Sequence, residues 1–481
     1  MSARHPLTIR LESAAFRCDH VRVRTLRGRE VISQLFSFQI SILCLDPEGL
    51  PRDEVVGAEA TIVMERDGVV FRRVHGMIAE LVDRLEVEAE HRSYDLLLVP
   101  RAWRLTLVET QEILMDLTIP QMIQQKIELV GIASDVQQRL LEAYPPREFV
   151  VQYRESDLAF ISRLAEHLGI SFFFEHGEER EVLVLTDHME GFGAVGDGGD
   201  VPFRPRGEQR DVFSLEVKTR LIPAGYVVQD YNYRNPRIDL TAHHELPAAY
   251  AGGVVEYGAH FKTPDEGKFF ARVRAEERQS TRDVYVGESD IPAFGAGLRF
   301  TLEGHRHVQE SGLLLVEVEH EANQVVGGHG GVESAPSYRN SFRAIPASRA
   351  YRPPRITPRP RIHGLLSGVV ESNSVGQRAR IDPKGRYTVQ FHFDTAAGGG
   401  AKASRPVRMA QPHAGPGYGM HFPVKPGTEV LLGFIDGDPD RPIIVGAIPN
   451  ESAPSPVTAS NAHVNQIRTV SGIVVELDDY V

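Results

Sequence analysis

Several stretches of this chain place reactive residue types at spacings that chemistry uses. Gly191-Phe192-Gly193-Ala194-Val195-Gly196 matches G-x-G-x-x-G and follows a predicted strand. A dinucleotide site needs a helix there, so that its first N–H groups meet the pyrophosphate. The continuation Asp197-Gly198-Gly199-Asp200-Val201-Pro202 is a poor helix start, so a loop is expected and no cofactor. Asp436-Gly437-Asp438-Pro439-Asp440 has the look of a calcium loop, yet Arg441 stands where the sixth position needs glycine and Ala447 where the twelfth needs glutamate. An acidic turn between strands is the expectation. His320-Glu321 and His244-Glu245 open like a zinc-protease helix, but neither has a second histidine one turn later. His305 and His307 share a face of a possible strand without a nearby third ligand, and are expected to be solvated or hydrogen-bonded rather than metal-bound. The chain has no G-x-S-x-G elbow, no P-loop and no cysteine in a catalytic context. These residues therefore point to no catalytic, cofactor or metal site. A carboxylate pair assembled by folding stays open, because scattered Asp and Glu cannot be paired from sequence.

The elements that would have to position such groups are mostly strands. Leu7–Leu11, Phe36–Ile42, Ala60–Met64, Val69–Val74 and His91–Val99 alternate apolar and polar residues, with Arg66-Asp67-Gly68 as a hairpin turn. This is a barrel or sandwich pattern. Two helices are predicted: Ile119–Leu129, with Pro120 in its first turn, and Ser156–Leu168, with an N-cap serine and Gly169 closing it. The pair Ile170–Glu175 and Val182–Leu185 then makes the region α+β. Strands are expected to resume from about 212 to 320. Pro336 to Arg361 holds six prolines and seven arginines, so an extended, partly polyproline strap is expected. From Gly364 to Pro449 about five short strands suit a small closed barrel of the OB type. A polar joint, Glu451 to Ala462, precedes a last alternating stretch, Ile467 to Val481.

Bulk properties exclude more than they identify. At 481 residues the chain should hold two to four domains. Its 42% hydrophobic and 25% charged content is that of a soluble globular protein. No run approaches the ~18 apolar residues of a membrane span. Met1–Pro6 leads directly into a strand pattern and lacks a signal peptide's apolar core, so any export is expected to use another route. Cys18 and Cys44 are too few for a disulfide framework. Tyr338, Phe342 and Tyr351 among the arginines suggest nucleic acid, but a net charge of -12 opposes it, and the stretch reads better as a strap on neighbouring domains.

In order along the chain, several blocks resemble VgrG, the spike protein family of bacterial type VI secretion, related to hub and spike proteins of contractile phage tails. The most specific is Glu429 to Asn450, and Gly385 to Asp394 is a second, with Phe393 where the family usually has tryptophan. Val407–Pro412 and Gly417-Tyr418-Gly419 continue the agreement. Gly28–Phe38, Val74-His75-Gly76, Pro120–Ile123, Gln152–Asp157, Asp230–Pro236, Tyr338-Arg339-Asn340 and Tyr351–Pro354 extend it over almost the whole chain.

The resemblance implies a mainly β homotrimer with α+β insertions. Residues 1–335 would form a hub of two β-barrel-like parts, 336–362 a Pro/Arg-rich linker, 363–450 the OB domain, and 451–481 a joint and the start of a triple-stranded β-helix needle. The needle, long in the family, is reduced here to Asn465–Val481, a cut sequence or a short form. Implied partners are the hexameric Hcp tube, a PAAR tip protein, baseplate components, effectors and adaptors, with transient contact to a target membrane and no nucleic acid. The chain would assemble in the bacterial cytoplasm and be injected without a signal peptide. The Asp436–Asp440 turn and the linker are candidate inter-subunit contacts. Rival readings are a phage-like particle hub and, with less support, a cell-wall hydrolase.

Overall fold

A computed structural model describes residues 7–85, 91–196, 199–205, 211–247, 251–308, 312–326, 336–371, 381–395 and 404–480. The Met1–Pro6 start and Asp197-Gly198 lie outside the described residues. The chain forms two compact units, one of residues 1–107, 123–144 and 161–357, the other of 108–122, 145–160 and 358–481.

The first unit is built on one 13-stranded sheet. Strands Thr8–Glu12, Glu59–Arg66, Val69–Asp83, Arg92–Val99, Ser37–Cys44 and Val21–Val31 neighbour one another in that order. Their inward residues, among them Ile9, Leu26, Phe38, Ile40, Val74, Ile78 and Leu98, are buried, as period-two burial requires. The hairpin at 66–69 uses Asp67 and Gly68, both at positive φ (53° and 79°), which matches the twist of the flanking strands. The first and last strands of this set are stitched by a side chain. Gln324 Oε1 accepts from Ile9 N–H (2.8 Å), while its Nε2 donates to the carbonyls of Ile9 (2.9 Å) and Val23 (3.0 Å). The amide supplies the bonds a missing ladder would have made, and the sheet closes as a barrel.

A second barrel follows from the other half of the sheet. Val212–Thr219, Asp283–Ser289, Ser337–Pro346, Leu313–Asn323, Leu298–Glu303 and Asp200–Pro202 pair in turn. Closure comes where Phe203 pairs with Val212, whose carbonyl accepts from Arg204 N–H at 2.8 Å. Phe294, Phe300, Leu315, Val318 and Phe342 fill its core. The barrels share the antiparallel pairing of Val21–Val31 with Leu313–Asn323, so neither has a free edge at the junction.

Two expectations are corrected here. Ser337–Pro346 is an internal strand of the sheet rather than part of an extended strap. Asn340, Phe342 and Ala344 face inward, while Arg339 and Arg343 sit on the wet face opposite Glu321 and Glu317. Two of the seven arginines that suggested a linker are its solvent side. Only 350–363 is extended without pairing. The run of strands from 212 to 320 is also interrupted by a third helix, Pro264–Gln279, packed on a three-stranded sheet of Thr241–Glu245, Gly225–Gln229 and Gly253–Tyr257. Its start carries ordinary signals: the Thr263 hydroxyl caps Glu266 N–H, and Pro264 sits at the first helical position. A polar composition hid it.

Helices Ile119–Leu129 and Asp157–Leu168 stand where the periodicity placed them, the latter with Ala159 N–H donating to Ser156 Oγ. Gly169 is in the left-handed region at φ +72°, and a Cβ there would lie 2.7 Å from Val273.

In the second unit, Val389–Phe391, Leu366–Val370, Glu429–Phe434, Pro442–Ala447 and Arg408–Met409 form the five-stranded OB sheet. Tyr387 and Val407 bridge its ends through mutual N–H···O bonds of 2.9 and 2.7 Å, closing the barrel. The paired strands Glu109–Leu114 and Val150–Ser156 belong to this unit, and Ile113 and Phe149 pack on the OB core. The last alternating stretch is two strands, Val464–Arg468 and Val474–Asp478, folded on each other about Gly472 (φ +87°).

Candidate functional site

Each chemical motif has a structural employment. In Gly191–Gly196 the glycines serve packing: a Cβ on Gly191 would meet Thr186 Oγ1 at 2.0 Å, and one on Gly193 would meet Leu298 at 2.8 Å. Gly193-Ala194 pairs in parallel with Leu298-Arg299, and the next described element, Asp200–Pro202, is a strand. Among the described residues no helix N-terminus follows the glycines there. In the acidic turn, Asp438 Oδ1 accepts from Asp440 N–H (3.1 Å) and Asp438 Oδ2 from Arg359 (3.5 Å). Asp440 Oδ1 accepts from Val151 N–H at 2.7 Å, and Arg361 holds the Asp436 carbonyl at 2.6 Å. The turn ties three segments of its own unit. His244 lies on the Thr241–Glu245 strand. His305 Nδ1 accepts from the N–H groups of His307 (3.3 Å) and Val308 (3.1 Å), which spends that nitrogen on a turn.

His320 is placed by its strand inside the junction of the two barrels, within a buried polar cluster of the first unit. Its Nε2–H donates to Glu30 Oε1 (2.8 Å) and its Nδ1 accepts from the Tyr338 hydroxyl (2.8 Å). Arg72 donates to the same Glu30 oxygen at 2.6 Å and also to the carbonyls of Phe294 and Pro292. Asn340 Nδ2 donates to the Ile291 carbonyl at 2.8 Å, and Ser289 donates to Asn340 Oδ1 at 2.7 Å. The loop from Asp290 to Gly297, whose Phe294 plugs the second barrel, is thus gripped by an arginine from the first. Burial alone would raise the Glu30 carboxyl, but Arg72 and His320 outweigh it and hold it at about 2. Neighbouring His176 is driven by burial down to about 3, with Arg72 adding to the effect. Burial also lowers His320, against the pull of Glu30. Two neutral histidines and one ion pair form a lock. Arg72 and Glu30 have no approach for a substrate, being 9% and 5% exposed. Sequence reasoning missed this cluster, although a glutamate in phase with inward Leu26 and Gly28 was a readable signal.

The strap is likewise spent within its unit. Arg352 donates to the carbonyls of Gly169 (3.1 Å) and Asp187 (2.7 Å) and pairs with Glu276. Arg355 pairs with Glu277 (3.0 Å) and Glu256 (2.8 Å), which holds its guanidinium well above the usual range despite burial. Thr357 donates to Glu166 at 2.6 Å.

The second unit leaves two apolar patches uncovered. The terminal ribbon exposes Ile467, Ile473, Val475 and Leu477, all by half or more. Its two strands pair only with each other. The OB barrel also exposes Tyr418, Met420 and Phe422. Among the described residues no helix is long and apolar enough to cross a membrane.

Residues 29–326 match the family model of the phage tail baseplate hub (GPD), and residues 367–448 that of the type VI secretion system/phage-baseplate injector OB domain. The type VI secretion system spike protein VgrG1a of Pseudomonas aeruginosa is 28% identical over 440 residues, spanning 90% of this chain and 68% of that protein. VgrG4b of the same organism is 31% identical over 475 residues, or 94% of this chain and 57% of its own length. The chain therefore spans between about half and two thirds of these curated relatives. A solved E. coli type VI secretion component, described as structurally similar to the T4 bacteriophage tail proteins gp27 and gp5, superposes with a TM-score of 0.67 at 24% identity, covering 92% of this chain and all of that one.

Proposed function

The chain belongs to the phage tail baseplate hub (GPD) family, as a VgrG-type spike chain, and on that premise we propose that three copies form the base of a type VI secretion spike. In this reading the hubs sit on the hexameric Hcp tube among the baseplate components. The OB barrels and terminal ribbons lead into a triple-stranded β-helix capped by a PAAR protein. The device punctures the target envelope, touches its membrane only in passing, and carries effectors loaded through adaptors. It is made in the bacterial cytoplasm and leaves the cell by injection. Its work is structural rather than enzymatic, with no cofactor and no nucleic acid.

The observation that carries this reading is the terminal ribbon. A two-stranded ribbon is marginal alone in water, and one face of this one, with Ile467, Val475 and Leu477, is apolar and bare. Winding three such ribbons together turns these apolar faces inward and leaves the face of Gln466, Arg468, Glu476 and Asp478 to water. The hub supports it: each chain has two six-stranded barrels in one sheet, so three chains present six barrels to a sixfold ring. A hub of a contractile phage-like particle is the second reading, favoured by a family description that names both. Light scattering on the purified chain, alone and with Hcp and PAAR proteins, tests the proposal. A trimer that binds both is expected; a monomer that binds neither would defeat it.

A further inference from the structure

We propose that the uncharged hairpin loop Gln411–Val424 on the OB barrel is a contact surface between copies of this chain, formed together with the terminal ribbon. The inference rests on the trimer reading above and names a second surface for it. In a chain that is 25% charged, Gln411 to Val424 contains no Asp, Glu, Lys or Arg. It nevertheless exposes Tyr418 by 60%, Met420 by 48% and Phe422 by 55%.

The loop is held open by built contacts. Ala414-Gly415 pairs with Tyr418-Gly419 across a turn at Gly417 (φ +78°), and Met420 N–H donates to the His413 carbonyl at 2.9 Å. The Tyr418 ring lies over Gly415 so closely that a Cβ there would sit 2.2 Å from it, and the His413 ring stands 5.2 Å from it on the other side. The loop's return is rooted in the barrel core: the buried Tyr387 hydroxyl is 2.8 Å from His421 Nε2 and accepts from Val424 N–H. A pre-ordered aromatic display of this kind is what an interface anchor requires.

Area argues for the second copy as occupant. At roughly 200 Å² per large side chain, the three loop residues leave roughly 350 Å² uncovered, below the ~800 Å² per partner of a specific interface. Ile467, Val470, Ile473, Val475 and Leu477 of the ribbon, on the same estimate, leave roughly 600 Å². Neither patch clears the requirement alone, and together they do. A partner that already covers the ribbon is therefore the one that completes the loop. The absence of charge fits a buried, permanent contact rather than a transient polar one.

The test uses the full chain and two readouts, mass by light scattering and peroxide oxidation of Met420 followed by peptide mass spectrometry. Met64, fully buried in the first barrel, is the internal reference for folding. Expected are a trimer in which Met420 oxidises as slowly as Met64, and loss of the trimer mass with fast Met420 oxidation in Phe422→Asp while Met64 stays protected. Tyr418→Ser, a milder change, is expected to shift the same equilibrium toward monomer. A trimer whose Met420 oxidises freely, and which survives both substitutions, would overturn the loop contact and leave the trimer reading standing. A wild-type monomer with free Met420 would overturn both.

Discussion

Replacing Glu30 by glutamine keeps the shape of the side chain and removes the carboxylate that pairs with Arg72 at the barrel junction. The guanidinium cannot leave, because it also donates to the carbonyls of Phe294 and Pro292 and is 9% exposed. The substitution would strand a buried cation, a loss of about 3–5 kcal/mol when one partner of such a pair is removed. His320 would also exchange a charged acceptor for a neutral one, worth about 1 kcal/mol more. The expected outcome is a fall of about 5 kcal/mol in unfolding free energy. Urea titration measures it, followed by the single tryptophan, Trp103, which lies in a turn of the same unit. Protomer concentration must be held constant, because association adds stability. Adding Arg72→Met removes both charges, and the double variant should recover much of the loss. A single-variant cost below about 1 kcal/mol, or simple additivity in the double, would refute an ion pair locking the two barrels.

The same cluster makes the hub acid-sensitive in a defined window. His176 and His320 are neutral when folded and have lowered pKa values, whereas each titrates near ~6.5 in an unfolded chain. Below that pH the unfolded state binds more protons, so stability is lost as pH falls from about 6.5 toward about 3, by about 1.4 kcal/mol per pH unit for His176, and His320 acts in the same direction. His176→Phe should flatten the slope of the urea midpoint between about pH 6.5 and 4, and an unchanged slope would count against buried neutral histidine. At the first barrel's seam, Gln324→Leu leaves Ile9 N–H and the Ile9 and Val23 carbonyls without their partner. A loss of about 3 kcal/mol and faster hydrogen exchange at the Ile9 amide are expected; unaltered exchange would show that the seam is held by something else.

Local pattern made much of the fold legible. Alternation along Leu7–Val99 and 364–449, the proline and capping residue of two helices, and Asp67-Gly68 each dictate their conformation within a few residues. The chemical motifs were legible for the same reason, since G-x-G-x-x-G without a helix and a calcium loop without its glutamate fail on local grounds. Helix Pro264–Gln279 escaped because its apolar stripe is thin, although Thr263 and Pro264 announce its start. Ser337–Pro346 escaped because its arginines, all on the wet face, resemble the polar spacing of a linker.

By itself, then, the sequence determined that this chain is strand-rich, contains an OB barrel and carries an ordered set of VgrG-like blocks. The tertiary structure alone decided where the sheet closes and what locks it. Gln324 meets Ile9 across 315 positions, and His320 meets Glu30 across 290. It also decided which surfaces stay bare. Arg352 and Arg355, prominent in the sequence, are spent on their own unit, while the unremarkable Tyr418, Met420 and Phe422 are left facing out. Periodicity reports which face of an element is apolar; only the three-dimensional arrangement of neighbours reports whether anything covers it.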